Sequence, residues 1–185
     1  MTCLGIAVKG RSVAGVVYQP YFNYKARGDA PLGRVVWGVV GLGAFGIDRD
    51  ALPPADQNII TTTRSHSSPV VMSAVSACSP TQVLRAGGCG HKVMLVIEGE
   101  AHAYVFGSPG CKKWDTCAPE AILCALGGSL TDVHGNSYQY HASVRHKNLA
   151  GVIATSRATQ HNDYVEKMPE DVLQELPTDG PAPWQ

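Results

Sequence analysis

The stretch from Ala103 to Gly128, AYVFGSPGCKKWDTCAPEAILCALGG, reads in three parts: a short β-rich run, a turn through Gly107, Ser108, Pro109 and Gly110, and an apolar helix. Pro119 has no backbone N–H and is most comfortable among the orphan donors of a first helical turn, which places the N-cap near Thr116. Asp115 then stands just ahead of the cap. Ala118, Ile122, Ala125 and Leu126 follow the i, i+4, i+7, i+8 spacing of one buried stripe, so the helix is anchored and its mouth is fixed in space. A carboxylate at that mouth either complements the helix dipole, worth about 0.3–1 kcal/mol, or belongs to a site. Trp114 would supply an apolar wall to such a site, and Lys112 and Lys113 a pull on anions.

The same strand, small-residue turn and helix start occur twice upstream. NIITTTRSHSSPVVMSAVSACSP, from Asn58, runs from a strand through Arg64–Ser67 into a helix with Pro69 near its first turn. VLRAGGCGHKVMLVIEGE, from Val83, passes Gly87, Gly88 and Gly90 and enters an apolar helix carrying Lys92 in its first turn. Three such units predict an α/β architecture with helices packed on a sheet. Helix starts gathered at the same ends of the strands present free N–H groups and partial positive charge, which suits a phosphate. The same small residues also suit plain tight turns.

Ahead of these units the sequence changes character. LGIAV, VAGVVYQP and RVVWGVV, followed by GLGAFG, read as antiparallel hairpins, and the Pro-containing ALPPADQN, Ala51 to Asn58, is the best boundary. The division expected is therefore an α+β segment over residues 1–56 and an α/β domain over 57–185. Downstream, GGSLTDVHGNSYQYH predicts a strand, a His-Gly-Asn turn and a second strand; NLAGVIATS predicts an interior strand. DYVEKMPEDVLQEL predicts a helix broken at Met168–Pro169.

Lysine plus arginine and aspartate plus glutamate number 15 each, so no overall positive field favours nucleic acid. No apolar run is long enough to span a bilayer, and the first residues lack a secretory leader. The six cysteines are spaced too widely for a zinc pair, so reduced thiols and a cytoplasmic protein are expected.

GVVYQPYFNY, VVWGVVGLGAFG, ITTTRSHS, SPGCKKWDTCAPE and LTDVHGN together resemble the lithium-sensitive, magnesium-dependent phosphatases of the inositol monophosphatase superfamily, in particular its bisphosphate nucleotidase branch. The resemblance implies a sugar-phosphatase-like layered fold and a phosphoric monoester hydrolase. It would remove the 3′-phosphate of 3′-phosphoadenosine 5′-phosphate to give AMP, with Mg²⁺ as cofactor. The alternatives are an inositol polyphosphate 1-phosphatase-like activity and a non-catalytic nucleotide-binding or interaction fragment. Either enzymatic reading implies a small phosphorylated substrate and neither nucleic acid nor membrane as partner.

Carried over by motif, Asp115 corresponds to a Mg²⁺ ligand, and Thr63, His66, Gly88 and Lys92 to residues around the nucleotide. The superfamily's glutamate and Asp-Pro-x-Asp-Gly-Thr ligands have no counterpart here; Asp29, Asp48, Asp50 and Asp56 stand in other contexts. No catalytic residue is assigned. The expectation that follows is a C-terminal portion, truncated at its N-terminal side, whose first segment is a remnant stripped of covering helices and which is inactive alone.

Overall fold

The computed structural model describes residues 1–26, 31–48, 52–65 and 67–178. Two sheets carry the architecture. The first is an antiparallel meander of β1 (Thr2–Val8), β2 (Arg11–Gln19), β3 (Arg34–Val39) and β4 (Gly43–Phe45), in that spatial order. The second is ordered β6-β5-β7-β9-β8, with β5 (Ile59–Thr63), β6 (Gln82–Ala86), β7 (Ala103–Phe106), β8 (Ser129–Thr131) and β9 (Val152–Thr155). β6, β5 and β7 run parallel, as the repeated βα units require, whereas β9 pairs antiparallel with both β7 and β8.

Residues alternate across the second sheet and so divide the core. Tyr104 and Phe106 of β7 and Val152 and Ala154 of β9 face the helices α2 (Cys89–Ile97) and α3 (Lys113–Ala125). Ala103, Val105 and Ile153 face the other way, onto α1 (Pro69–Ala77), α4 (His161–Val165) and α5 (Glu170–Glu175). The layers therefore run sheet, helix, sheet, helix. As expected, Pro69 opens α1, behind Ser68, whose hydroxyl accepts the Val71 N–H at 3.3 Å. The break at Met168–Pro169 also separates α4 from α5.

The first segment is not a stripped remnant, and that expectation is corrected. α3 lies flat across the inner face of the first sheet, because Gly5, Gly15 and Gly38 sit opposite one another on β1, β2 and β3 and leave a groove without side chains. A Cβ on Gly15 would overlap the Ala118 carbonyl oxygen and lie 2.8 Å from Ala118 Cα; one on Gly38 would lie 3.0 Å from Ile122 Cα. Ser12 Oγ also donates to the Cys117 carbonyl at 2.6 Å. The outer face of this sheet presents Leu4, Ile6, Val16, Tyr18, Val35 and Trp37 to solvent. The fold is thus an α/β assembly of two sheets with flanking helices from residue 2 onward, in place of the truncated arrangement the sequence suggested.

Two local expectations also change. α3 begins three residues before Thr116, with Lys112 as N-cap, and Pro119 falls inside the helix. The early start is held by tertiary hydrogen bonds: the Lys113 N–H donates to the His146 carbonyl at 2.7 Å, and Lys112 forms an isolated bridge with Lys147. After β8 the chain does not form a second strand at Tyr138–Tyr140. Instead the Asp132 carboxylate gathers the His134 and Asn136 N–H groups at 2.9 and 2.8 Å and closes a tight loop. Tyr138 and Tyr140 then send their hydroxyls to the Gly151 carbonyl and the Glu120 carboxylate, bonds between groups distant in sequence that replace a strand ladder.

Candidate functional site

At the C-terminal end of the parallel strands β5 and β6 a cavity of about 240 Å³ opens between the start of α2 and the loop leading into α3. Thr63, Gly88, Lys92 and Asp115, four of the five positions singled out by motif, line it. His66, the fifth, lies outside the described residues. A second cavity of about 470 Å³, bordered by Met1, Cys3, His91 and Trp114, shares Gly87, Gly88, Cys89 and Asp115 with the first, so the two adjoin at the α2 start.

Each lining group is placed by its own element. Thr63 ends β5, and its hydroxyl accepts the Ser65 N–H at 3.3 Å, which turns the chain away from the sheet. Gly88 is the N-cap of α2 at φ +78°, a conformation that side chains rarely adopt, and no side chain caps the helix. The first-turn amides of α2 are therefore available to an anion from the cavity. Lys92, one turn on, is 4% exposed. Its Nζ donates to the Gly88 carbonyl at 2.8 Å and lies 5.0 Å from the Tyr104 ring centroid. Burial lowers its pKa, opposed by the nearby Cys89, Cys111 and Asp115.

Asp115 is at N3 of α3, inside the helix and not ahead of its cap. Its Oδ2 accepts the Lys112 N–H at 2.8 Å, so the structural role weighed from sequence is real and occupies one oxygen. Oδ1 is the atom through which Asp115 would meet a ligand. Pro119 cannot donate to the Asp115 carbonyl, and Gly90 of α2 packs there, where an added Cβ would sit 3.6 Å from that oxygen. The close α2–α3 approach brings Lys92 and Asp115 to one cavity.

Sequence reading passed over the thiols of this site. Cys89 and Cys111 both line the cavity. The neighbouring Cys111, together with burial, raises the pKa of Cys89, and Cys89, with the Asn148 amide, lowers that of Cys111 against its own burial. Asn148 Nδ2 also donates to Cys111 Sγ, at 3.2 Å. The two cysteines are far apart in the chain, so no local spacing signalled them.

The model of the inositol monophosphatase family matches residues 2–170. The chain belongs to this family. It is 56% identical over 173 residues to the 3′(2′),5′-bisphosphate nucleotidase 1 of Homo sapiens, covering 94% of this chain and 55% of that protein. To the protein of the same name in Dictyostelium discoideum it is 42% identical, covering 90% of this chain and 55% of that one. Among solved structures it resembles a Staphylococcus aureus inositol monophosphatase II bound to 2′-AMP, with a TM-score of 0.67 and 20% identity, covering 93% of this chain and 63% of that one. That likeness speaks for the fold alone.

The family model matches residues 2–170, so the expectation of a C-terminal portion with a stripped first segment, and of inactivity drawn from it, is corrected to a family match over nearly all of this chain. The chain spans about half the length of the curated relatives it matches. Membership implies Mg²⁺ dependence in general. Among the described residues no group of three or more His, Cys, Asp and Glu side chains is placed to hold a metal. Magnesium, however, is commonly held by one or two carboxylates, with water and phosphate oxygens completing its octahedron. Asp115 Oδ1 fits one such position, and the thiols beside it are too soft for the ion. No described helix is long and apolar enough to cross a membrane.

Proposed function

We propose that the protein is a Mg²⁺-dependent phosphoric monoester hydrolase of the bisphosphate nucleotidase type, acting on 3′-phosphoadenosine 5′-phosphate, with the cavity at the start of α2 as its nucleotide-phosphate site. The observation that carries this reading is convergence. Thr63, Gly88, Lys92 and Asp115 come from three separate strand–helix units and border one opening.

The roles follow from residue type and placement. The uncapped amides after Gly88 face a phosphate with partial positive charge, and the missing Cβ lets it come close. Lys92 adds a full charge from a buried position, where screening by solvent is weak. Thr63 supplies a hydroxyl at the rim. Asp115 Oδ1 would take one coordination position of Mg²⁺, while Oδ2 stays on the Lys112 N–H and holds the carboxylate still. When bound, the ion would neutralise charge developing on the phosphoryl oxygens.

The test is phosphate release from 3′-phosphoadenosine 5′-phosphate with and without Mg²⁺, beside inositol 1,4-bisphosphate as competitor substrate. The expected result is Mg²⁺-dependent release with preference for the nucleotide. Preference for the inositol phosphate would overturn the substrate assignment. Absence of both release and AMP binding, on protein shown folded by circular dichroism, would overturn the site.

A further inference from the structure

The outer face of the first sheet stays open to solvent: Leu4, Ile6, Val16, Tyr18, Val35 and Trp37 are between 37% and 59% exposed. Strand pairing lines them up in three neighbouring rungs. Leu4, Val16, Trp37 and Phe45 form the middle one, where the Trp37 and Phe45 rings stack with centroids 4.2 Å apart. Tyr18 and Val35 lie in the rung on one side and Ile6 in that on the other. No position in the three rungs is charged. An antiparallel sheet with one wet face alternates apolar with polar residues. Here Val17 and Val36, buried on the α3 side, alternate with Val16, Tyr18, Val35 and Trp37, which is the pattern of strands covered on both faces.

We propose that this face is the two-fold contact of a homodimer, in which a second copy of the chain lays its own first sheet on it. The size fits. Four strands about 4.8 Å apart span roughly 19 Å, and β1 runs about 24 Å, so the face has a footprint of about 450 Å² before side-chain relief is counted. That is of the order of the roughly 800 Å² of accessible surface that each partner gives to a stable interface. The chemistry fits as well. Permanent homodimers have the more apolar interfaces, depleted of charge at their core. The chain has a formal net charge of +0, so its copies do not repel one another. A charge-free face offers nothing to hold an acidic or basic partner, whereas every copy presents the same apolar rungs. Two such faces stack as aligned sheets about 10 Å apart, with their outward side chains interdigitated about a two-fold axis.

The experiment is sedimentation equilibrium on the full chain at micromolar concentration, beside the double variant Leu4→Lys/Val35→Lys and the milder Val35→Thr. The parent should sediment at twice the mass of one chain. The double variant sets charges in two different rungs of an exposed face, and should run as a monomer that circular dichroism shows to be folded. Val35→Thr keeps the shape and the strand preference, so it tests the face even where the lysines disturb folding. Two-fold symmetry counts its lost apolar contact twice, and the dimer dissociation constant should rise by about tenfold. A single-chain mass for the parent, open-ended assembly beyond the dimer, a folded double variant that stays dimeric, or a dissociation constant unchanged in Val35→Thr would each overturn the proposal. So would transfer of the parent onto phosphatidylcholine vesicles in a flotation assay, which would make the face a lipid contact.

Discussion

Replacing Glu120 with Gln should make the protein more stable at alkaline pH and leave it unchanged in acid. Glu120 is 1% exposed on α3, beneath the first sheet. It accepts the Tyr140 hydroxyl, with Arg11 Nη2 3.8 Å away and Lys113 also near. Burial dominates over these favourable partners and raises its pKa from 4.5 to about 7. Below pH 4.5 the carboxyl is protonated in both folded and unfolded chains and contributes no difference. Between 4.5 and 7 the folded protein keeps the proton that the unfolded chain has lost, so stability falls as pH rises. At about 1.4 kcal/mol per pH unit, the full cost above pH 7 is about 3 kcal/mol.

His161 produces the opposite slope in nearly the same window. It is 4% exposed and bound to the Thr131 and Thr155 hydroxyls at 2.8 and 2.9 Å, and burial lowers its pKa from 6.5 to about 4. Its contribution is present above pH 6.5 and is lost as pH falls toward 4, again by about 3 kcal/mol. The two slopes nearly cancel in the natural protein, so only a difference between variants isolates either. Gln keeps an acceptor for Tyr140 and removes the charge. Urea unfolding followed by circular dichroism from pH 4.5 to 8 should show Glu120→Gln gaining on the parent steadily, to about 3 kcal/mol at pH 8. A difference that stays constant across that range, or a variant less stable at pH 8, would refute the reasoning.

Other expectations are simpler to read. Gly15→Ala should cost about 3 kcal/mol by urea unfolding, at the upper end of overpacking penalties, because the new methyl meets the Ala118 backbone and not a movable side chain. Asp115→Asn should retain most of the helix-start hydrogen bond while reducing Mg²⁺-supported phosphate release, whereas Asp115→Ala should also lose about 1 kcal/mol of stability, read by thermal melting. Lys92→Met should weaken AMP binding by about tenfold or more in calorimetry, the worth of one charged hydrogen bond, with little loss of fold because the stem remains apolar.

The repeated pattern of strand, small-residue turn and helix was legible because it is local. Short β-rich runs closed by small-residue turns mark β5, β6 and β7, and Pro69 marks the first turn of α1 without reference to the rest of the molecule. The motif residues Thr63, Gly88, Lys92 and Asp115 were named through the family resemblance of the short runs that carry them, residue by residue. The start of α3 was not legible. Pro119 suits a first turn by local preference, yet the Lys113 N–H bond to His146 and the bridge to Lys147 carry the helix further back.

What the sequence determined by itself was the class of each segment, because backbone preference and hydrophobic period act over a few residues; the cavity residues were named only through the resemblance of short motifs to the family. What only the tertiary structure decided was which segments meet. The glycines at positions 5, 15 and 38 look unremarkable singly, and become a groove only when three strands align them beneath α3. Packing of α3 beneath the first sheet buries Glu120, and the close approach of α2 to α3 brings Asp115, Gly88, Lys92, Cys89 and Cys111 to one cavity. Those pairings depend on shape and exclusion of water over long chain separations, to which no local pattern is sensitive.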